Sequence, residues 1–307
     1  MIDGILAVWK PAGWTSHDVV AKVRGILKVK RIGHTGTLDP QVTGVLPLCV
    51  GRATRVVEYV QERPKSYEAV MRFGLSTDTE DMTGTVTNEL PSVSLTEARI
   101  REVLASFIGE IDQVPPMFSA VRVDGKRLYE LAREGQVIER QSRKVSIYEL
   151  ELLEAQLDQP HPVIRFSVVC SKGTYIRTLC VDIGAALQVP AVMVKLIRTM
   201  SGGFTQTDCL TLEEIARHKA DGTIADKLTA LDEALDHFPK ITISDSDVRH
   251  AFQGKRVPLR NIVAHDPYEN DSLLRVYGAD GMFAGVFQPD AESGTLKAVK
   301  VFTPTAD

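Results

Sequence analysis

A glycine-rich stretch at residues 31–45, RIGHTGTLDPQVTGV, decides how the rest of the chain is interpreted. Three glycines and a proline in this stretch predict a structured loop rather than a regular helix or strand. Pro40 biases Asp39 toward an extended backbone, and His34 precedes the carboxylate by five residues. A rigid loop that presents one acid and one flat ring is suited to holding a base against a nucleophile. An ordinary Asx turn at Asp39 is the alternative that these residues alone leave open.

Arg177 is the second candidate, because it falls in the first turn of a helix predicted to start after Thr174 as N-cap. A cation there opposes the helix dipole by roughly 0.3–1 kcal/mol. Such a placement is reasonable if a carboxylate pairs with it, and Asp39 is the candidate partner. Tyr175 stands at the same helix start. A surface arginine with a partly buried stem is the alternative.

Tyr67 is the third candidate, because it enters a predicted strand directly after Lys65 and Ser66. An aromatic ring near a pocket is able to stack on an extruded base, which is worth roughly 1–3 kcal/mol. An ordinary strand tyrosine is the alternative.

The order of predicted elements indicates an α/β sheet domain followed by a smaller β domain. A helix begins at Thr15, strands cover residues 144–153 and 164–170, a helix runs from Pro190 to near Gly202, and residues 208–236 are predicted to be helical. After Phe238 and Pro239, short apolar runs alternate with glycine and aspartate turns, which predicts a small β-barrel. Helices and strands mix without strict alternation, so a doubly wound fold is not expected.

The charges of the chain are unevenly distributed. The chain of 307 residues carries a net charge of −4, yet residues 1–57 hold eight lysines and arginines against three aspartates, so a locally basic face is available for phosphates.

Several kinds of site and segment are not expected. The four cysteines include no C-x-x-C pair, so their spacing does not fit a zinc site. No secretory leader and no bilayer-spanning run are expected. Residues 78–84, DTEDMTG, lack the spacing of a calcium loop and are predicted to form an acidic turn.

Five motifs in order resemble those of the TruB-type bacterial tRNA pseudouridine synthases, and the resemblance covers most of residues 1–240. The segments that carry it are Gly4-Ile-Leu with Lys10-Pro11-x-Gly13-x-Thr15-Ser16-His17, Gly33 to Pro40 with Thr43 to Pro47, Lys65-x-Tyr67, Pro115-Pro116-x-x-Ser119-Ala120-Val121, and Gly173 to Arg177. Residues 196–203, LIRTMSGG, resemble the far wall of the uracil pocket.

The family resemblance implies a mixed α/β (α+β) pseudouridine synthase fold, with a central, largely antiparallel sheet flanked by helices and loops, and a small C-terminal PUA-like β-barrel. The catalytic domain would span residues 1–237, with a thumb-like insertion at about 117–143, and an RNA-binding domain would span residues 238–307.

The resemblance also implies roles for individual residues. Asp39 would be the catalytic nucleophile, Arg177 its ion-pair partner, and Tyr67 the ring that stacks on the flipped uracil and serves in proton transfer. Tyr175 would pack against Asp39, Leu196 would form an apolar wall, and His34 would fill the place that the uridine leaves. Lys10, Gly36 and Thr37 would also be substrate-binding residues.

The implied function is isomerisation of the T-loop uridine of tRNA (position 55) to pseudouridine. The reaction involves no redox change and loses no group, so neither a cofactor nor a metal is expected. The T-arm stem-loop would be the partner of a cytoplasmic monomer that needs no protein partner and no membrane. Two alternatives stay open, namely a non-catalytic RNA-binding or RNA-folding module, and a synthase that depends on a guide RNA.

Overall fold

The computed structural model describes residues 2–123 and 125–303, so residue 124 of the predicted thumb and residues 304–307 of the predicted C-terminal domain lie outside the described residues. The helices are α1 Ser16–Leu27, α2 Val57–Glu62, α3 Glu97–Ser106, α4 Leu128–Arg133, α5 Ile176–Ala186, α6 Leu212–Ala220 and α7 Asp245–Phe252. The strands of the first part of the chain are β1 Gly4–Lys10, β2 Ile32–His34, β3 Thr43–Val50, β4 Lys65–Phe73, β5 Leu75–Thr77, β6 Val86–Glu89, β7 Gly109–Gln113, β8 Arg122–Val123, β9 Lys126–Arg127, β10 Arg143–Gln156, β11 Val163–Cys170, β12 Ala191–Ser201 and β13 Phe204–Thr205. Those of the last part are β14 Lys240–Ile243, β15 Val257–Pro258, β16 Ile262–His265, β17 Leu274–Tyr277, β18 Phe283–Asp290 and β19 Thr295–Val301.

A nine-stranded sheet forms the centre of the molecule. Its main path runs β1-β3-β12-β4-β11-β10-β7, with β2 added to β3 and β13 added to β12. Among the described strands of this sheet, β3 and β12 pair in parallel, and the other neighbours are antiparallel. The predicted mixed, largely antiparallel sheet is therefore confirmed.

Helix α1 forms where the sequence predicts it. Its N-cap Thr15 accepts a hydrogen bond from the backbone N–H of Asp18, whose carboxylate accepts one from the Thr15 N–H, which completes a capping box. The buried apolar stripe of α1 packs with α6 against the faces of β1 and β3. Because Ser16, the first residue of α1, accepts a hydrogen bond from the Leu38 N–H next to Asp39, this packing fixes the first element of the site.

The opposite part of the sheet carries the larger core. Strands β4, β10, β11 and β12 bury their apolar side chains against α3 and α5, with Phe73, Met71 and Phe166 wholly buried. Helix α5, which carries Arg177, therefore has its position set by apolar packing along its length, including Leu179 and Ile183.

The predicted helix after Pro190 is wrong, because residues 191–201 form the central strand β12. This strand pairs with both β3 and β4, and its first three residues are all buried. Register shifts between Met193 and Lys195 and between Arg198 and Met200 interrupt its two-residue alternation, which is the sequence signal that distinguishes a strand from a helix.

Two further predictions are only partly right. The stretch 31–45 is not wholly irregular, since Ile32–His34 forms the short strand β2 and β3 already begins at Thr43. Residues 208–236 contain the helix α6, but the remainder consists of turns and short 3-10 segments.

A second sheet of six strands follows from residue 240, in the order β15-β19-β18-β17-β14-β16, with its own apolar core and α7. Contacts also tie it to the first part of the chain. Arg275 donates to the carbonyls of Phe238 and Asp232, and Arg55 donates to the Val301 carbonyl at 2.6 Å. Closure of this sheet into a barrel, and a domain boundary at 237/238, remain predictions.

Gly44 permits the close approach of β3 and β12, and its substitution is expected to be costly. Its φ is +122°, and a Cβ there would lie 2.2 Å from the Arg198 carbonyl oxygen. We expect Gly44→Ala to lower the free energy of unfolding by about 2–4 kcal/mol. Gly25→Ala, in the exposed part of α1 with open space around it, is the control and should raise it by about 0.5–1 kcal/mol. Urea unfolding measures both, and equal stability of the two variants would contradict this explanation.

Candidate active site

Residues 35–42, called here the Asp39 loop, connect β2 to β3 and are held by the start of α1. The Leu38 N–H donates to the Ser16 hydroxyl at 2.9 Å, and the Gly13 N–H donates to the Pro40 carbonyl at 2.8 Å. Within the loop, the Val42 N–H donates to the Asp39 carbonyl at 3.0 Å. These bonds flank Asp39 on both sides, so its backbone is fixed before any substrate binds.

Asp39 and Arg177 meet, as the sequence suggested. The Arg177 Nε lies 3.0 Å from the Asp39 Oδ2, and the side chains are 6% and 43% exposed, respectively. The cation is therefore buried while the carboxylate opens toward solvent. A carboxylate in this setting stays oriented by its partner and remains accessible to a ligand.

The remaining donors of Arg177 reach two other segments. Its Nη1 donates to the Thr79 carbonyl and its Nη2 to the Phe118 carbonyl, each at 2.8 Å, and the Asp81 Oδ2 lies 3.9 Å from Nε. One guanidinium thus joins the Asp39 loop, the acidic turn and the base of the predicted thumb. Two carboxylates near the start of α5 also offset the unfavourable position of a cation in its first turn.

The N-cap of α5 is Tyr175 rather than the predicted Thr174. The Thr174 hydroxyl donates to the Ser171 carbonyl instead. The side-chain amide of Gln113, from the end of β7, accepts from the Tyr175 N–H at 2.7 Å and donates to the Tyr175 carbonyl at 3.0 Å. This pair of bonds fixes the backbone two residues before Arg177, and burial raises the pKa of the Tyr175 phenol.

The acidic turn at residues 78–84 belongs to the site, which sequence reasoning missed. Asp81 accepts hydrogen bonds from the Thr79 hydroxyl and the Thr83 N–H, and this rigid turn brings the Thr79 carbonyl to Arg177. The sequence analysis rejected a calcium loop here and predicted an acidic turn, which is confirmed, but it did not assign the turn to the site. Its compact Asp and Thr pattern directly after a strand was the signal for a fixed polar loop.

Tyr67 and Leu196 lie on one face of the sheet beside the Asp39 loop. Tyr67 stands opposite Arg198 across β4 and β12, and Leu196 stands opposite Ala69 two residues along the same strands. Both side chains are buried. Burial raises the pKa of the Tyr67 phenol, the nearby Arg198 opposes that rise, and the charge of Asp39 adds to it.

His34 lies at the entrance of the Asp39 loop and packs edge-on against His17, with ring centroids 5.3 Å apart. Its Nδ1 accepts from the Gly36 N–H at 3.3 Å. Burial and the neighbouring charges of His17 and Arg198 lower the pKa of His34, which favours the neutral ring.

Lys10 is wholly buried, and its ammonium is occupied by protein carbonyls. The Nζ donates to Pro11, Trp14 and Pro40, and burial lowers the pKa of Lys10 to about 8. This geometry makes Lys10 a support of the Asp39 loop. Of the other two predicted substrate-binding residues, Gly36 gives its carbonyl to Arg198 and Thr37 is exposed.

Arg198 is a further part of the site that sequence reasoning missed. It is 1% exposed and lies beneath the Asp39 loop, where its Nε donates to the Val45 carbonyl at 2.8 Å. A buried arginine in an apolar strand has no local sequence signal, since its partners are carbonyls distant in the chain.

Two carboxyl groups lie behind the site, between the acidic turn and α5. The Thr178 hydroxyl donates to the Glu80 carboxylate at 2.6 Å. Burial raises the pKa of Glu80, and it raises the pKa of Asp182 to about 6, with the charge of Glu80 adding to the effect.

The described residues contain no group of three or more His, Cys, Asp or Glu side chains arranged to hold a metal ion. Over the same ranges, no helix is long and apolar enough to cross a membrane.

Comparison with known proteins gives consistent matches along the chain. Residues 24–176 match the family described as TruB family pseudouridylate synthase (N terminal domain), and residues 177–238 match the tRNA pseudouridylate synthase B C-terminal domain. A relative from Bacillus licheniformis named tRNA pseudouridine synthase B is 45% identical over 310 residues and covers 100% of both chains. A relative of the same name from Geobacillus kaustophilus is 51% identical over 247 residues, 80% of this chain and 87% of that one.

Solved structures agree with the fold. A Cbf5-Nop10-Gar1 complex contains a chain with a TM-score of 0.77 and 30% identity, covering 99% of this chain and 86% of that one. A chain of an H/ACA RNP bound to a substrate RNA containing 2′-deoxyuridine gives a TM-score of 0.76 and 28% identity, covering 98% of this chain and 85% of that one. Fold and sequence together define a pseudouridylate synthase. Within this class, the chain belongs to the TruB family.

The buried Asp182 carboxyl gives a testable pH dependence. Because its folded-state pKa lies above its ordinary value of 3.8, at about 6, ionisation of Asp182 destabilises the fold as the pH rises through that window. We expect the free energies of unfolding of Asp182→Asn and wild type to be equal near pH 4, and that of the variant to be higher at pH 7. Urea unfolding measures both. Asp221→Asn, at an exposed site after α6, is the control for the same chemical change. A difference that is the same at both pH values would contradict the prediction.

Proposed function

We propose that this protein converts the T-loop uridine of tRNA to pseudouridine, with Asp39 as the nucleophile and the uridine flipped out of its stack. The observation that carries the proposal is the Asp39 carboxylate, which is partly open to solvent while a buried Arg177 holds it at 3.0 Å. Membership of the TruB family supports the class of reaction, and the names of the full-length relatives support tRNA as the substrate.

The chemistry requires one carboxylate and a closed base pocket. The N1–C1′ bond breaks, the C5–C1′ bond forms, the hydrogen at C5 leaves as a proton, and N1 gains a proton. Electrons balance without an oxidant or reductant, so the residues of the chain suffice for this reaction. Asp39, oriented by Arg177, would form a transient covalent bond to the substrate, and this bond would break again to release pseudouridine and the free carboxylate. Pro40 restricts the backbone of Asp39.

Tyr67, Leu196 and Tyr175 would form the walls around the flipped uracil. Extrusion of a base costs a few kcal/mol, which stacking on an aromatic ring repays in part, by about 1–3 kcal/mol. Burial raises the pKa of the Tyr67 phenol, so its hydroxyl is protonated at neutral pH and can exchange a proton at the base. His34, neutral and held by the Gly36 N–H, would take the place of the uridine in the stem-loop.

The predicted thumb supplies charge and aromatic area for an RNA backbone. Arg127 and Arg133 lie over the ring of Tyr129, with guanidinium carbons 5.8 and 5.5 Å from its centroid. Arg122 and Lys126 are exposed on the adjoining hairpin. Because Arg177 donates to the Phe118 carbonyl at the thumb base, a stem-loop gripped by the thumb would lie next to Asp39.

The C-terminal sheet would act as a PUA-like RNA-binding domain in a fixed orientation. Lys300 donates to the Arg55 carbonyl, and Arg55 lies over the Phe302 ring at 4.7 Å. These contacts supplement those of Arg275 and favour a rigid two-part surface for tRNA. We propose a cytoplasmic monomer that acts without a protein partner.

One alternative has a specific observation in its favour. The solved structures with the reported TM-scores of 0.76 and 0.77 come from assemblies of several components, which suits a synthase that depends on a guide RNA. The higher identity and the full-length coverage of the tRNA pseudouridine synthase B relatives favour the stand-alone reaction.

Tritium release from a T-arm stem-loop carrying 5-³H-uridine tests the proposal, with purified protein and no added RNA, partner or metal. We expect wild type to release tritium and Asp39→Asn to lose at least about 1,000-fold in rate, because the amide is a poor nucleophile and forms a weaker contact with Arg177. Affinity for the stem-loop should change less than about threefold, since the carboxylate contributes to chemistry rather than to binding.

Asp221→Asn, which removes the same charge at an exposed site, should release tritium at the wild-type rate. Normal turnover by Asp39→Asn would refute the mechanism. Stem-loop binding by wild type without any release would instead favour a guide-dependent synthase or a non-catalytic RNA-binding module.

A further inference from the structure

Arg198 is a buried cation for which the fold alone gives no reason. It is the largest of the fully buried side chains, at 1% exposure. Throughout residues 2–123 and 125–303 it takes part in no ion pair, and its hydrogen-bond partners are backbone carbonyls. Burying a charge without an opposite charge is costly, and an apolar side chain of similar volume would fill the space more favourably.

The two carbonyls that Arg198 binds lie on either side of Asp39. Its Nε donates to Val45, in β3, and its Nη2 donates to Gly36 at 3.2 Å, three residues before Asp39. One planar guanidinium therefore connects both ends of the loop from the side of the sheet. Lys10, which shares a face of the sheet with Arg198 on the other side of Gly44, donates to the Pro40 carbonyl at 3.1 Å, directly after Asp39 in the chain.

The same guanidinium lies beside the Tyr67 hydroxyl. Arg198 and Tyr67 are directly opposed in β12 and β4, so their side chains share one face of the sheet. The charge of Arg198 opposes the effect of burial on the pKa of Tyr67. Arg198 is thus the group that connects the Asp39 loop with the ring proposed to stack on uracil.

We propose that Arg198 is a positioning residue for the isomerisation, which fixes the Asp39 loop and the Tyr67 hydroxyl in one arrangement relative to the flipped uracil. The proposal rests on the proposed function. Arginine suits this task because its fork of donors reaches several acceptors at fixed angles, whereas the ammonium of a lysine on a flexible stem does not. Lysine at this position would keep the charge and lose the simultaneous contacts.

The test compares Arg198→Gln and Arg198→Lys with wild type in single-turnover tritium release at saturating enzyme, alongside stem-loop affinity and thermal unfolding. We expect Arg198→Gln to lose about 100-fold or more in rate, with affinity within about threefold, because the reacting groups are displaced while the binding surface stays. Arg198→Lys should recover only a small part of the rate. Lys195→Gln, which removes a charge from an exposed position of the same strand, should react at the wild-type rate.

The outcomes separate the two claims. Tritium release by wild type together with normal rates for both Arg198 variants overturns this inference and leaves the proposed function standing. Absence of release by wild type overturns the proposed function and this inference with it. A lower melting temperature with an unchanged rate per folded molecule makes Arg198 a purely structural residue, and Arg198→Lys gives this answer if Arg198→Gln fails to fold.

A double-mutant cycle with Tyr67→Phe tests the connection to the tyrosine. If Arg198 acts through the Tyr67 hydroxyl, the loss in rate of the double variant will be smaller than the product of the two single losses. Independent, multiplicative losses would overturn the part of the proposal that concerns Tyr67.

Discussion

The contact between Asp39 and Arg177 is the constraint on which the site depends. A guanidinium that is only 6% exposed must have its donors satisfied, and Arg177 uses Asp39 together with the carbonyls of Thr79 and Phe118. Three segments far apart in the chain therefore meet at one side chain. Helix α5 brings that side chain to the site by burying its apolar face in the main core, so packing remote from the chemistry determines where the carboxylate points.

A set of buried cations surrounds the Asp39 loop, and this explains why the loop is rigid. Arg198 donates to the Gly36 carbonyl before Asp39 in the chain and Lys10 to the Pro40 carbonyl after it, and neither cation has an ion-pair partner among the described residues. Desolvation lowers the pKa of Lys10 to about 8, because burial disfavours the charged form of an ammonium. Burial of these cations lowers the stability of the fold, while their hydrogen bonds fix the geometry of the loop. Functional sites commonly combine a fixed geometry with a local loss of stability.

The sequence predicts those parts that local signals determine. The capping box of Thr15 and Asp18 predicts α1, and Pro40 with its neighbouring glycines predicts the rigid Asp39 loop. An electrostatic argument about a helix start made Asp39 a candidate partner of Arg177, and the family resemblance implied the pairing itself. The sequence predicts a helix where strand β12 lies, because two register shifts interrupt the alternation of the strand. The role of the acidic turn and that of Arg198 were missed for a related reason, since each contact uses a backbone carbonyl distant in the chain: Thr79 for Arg177, and Val45 and Gly36 for Arg198.

The most direct test of the central claim is the single-turnover rate and stem-loop affinity of Arg177→Lys and Arg177→Ala. If Arg177 orients the Asp39 carboxylate, both variants will lose at least about 100-fold in rate, since lysine keeps the charge without the fork of donors, and affinity will change less than about threefold. Mainly weakened binding, with the bound substrate reacting at the wild-type rate, would make Arg177 a phosphate contact and would contradict the account.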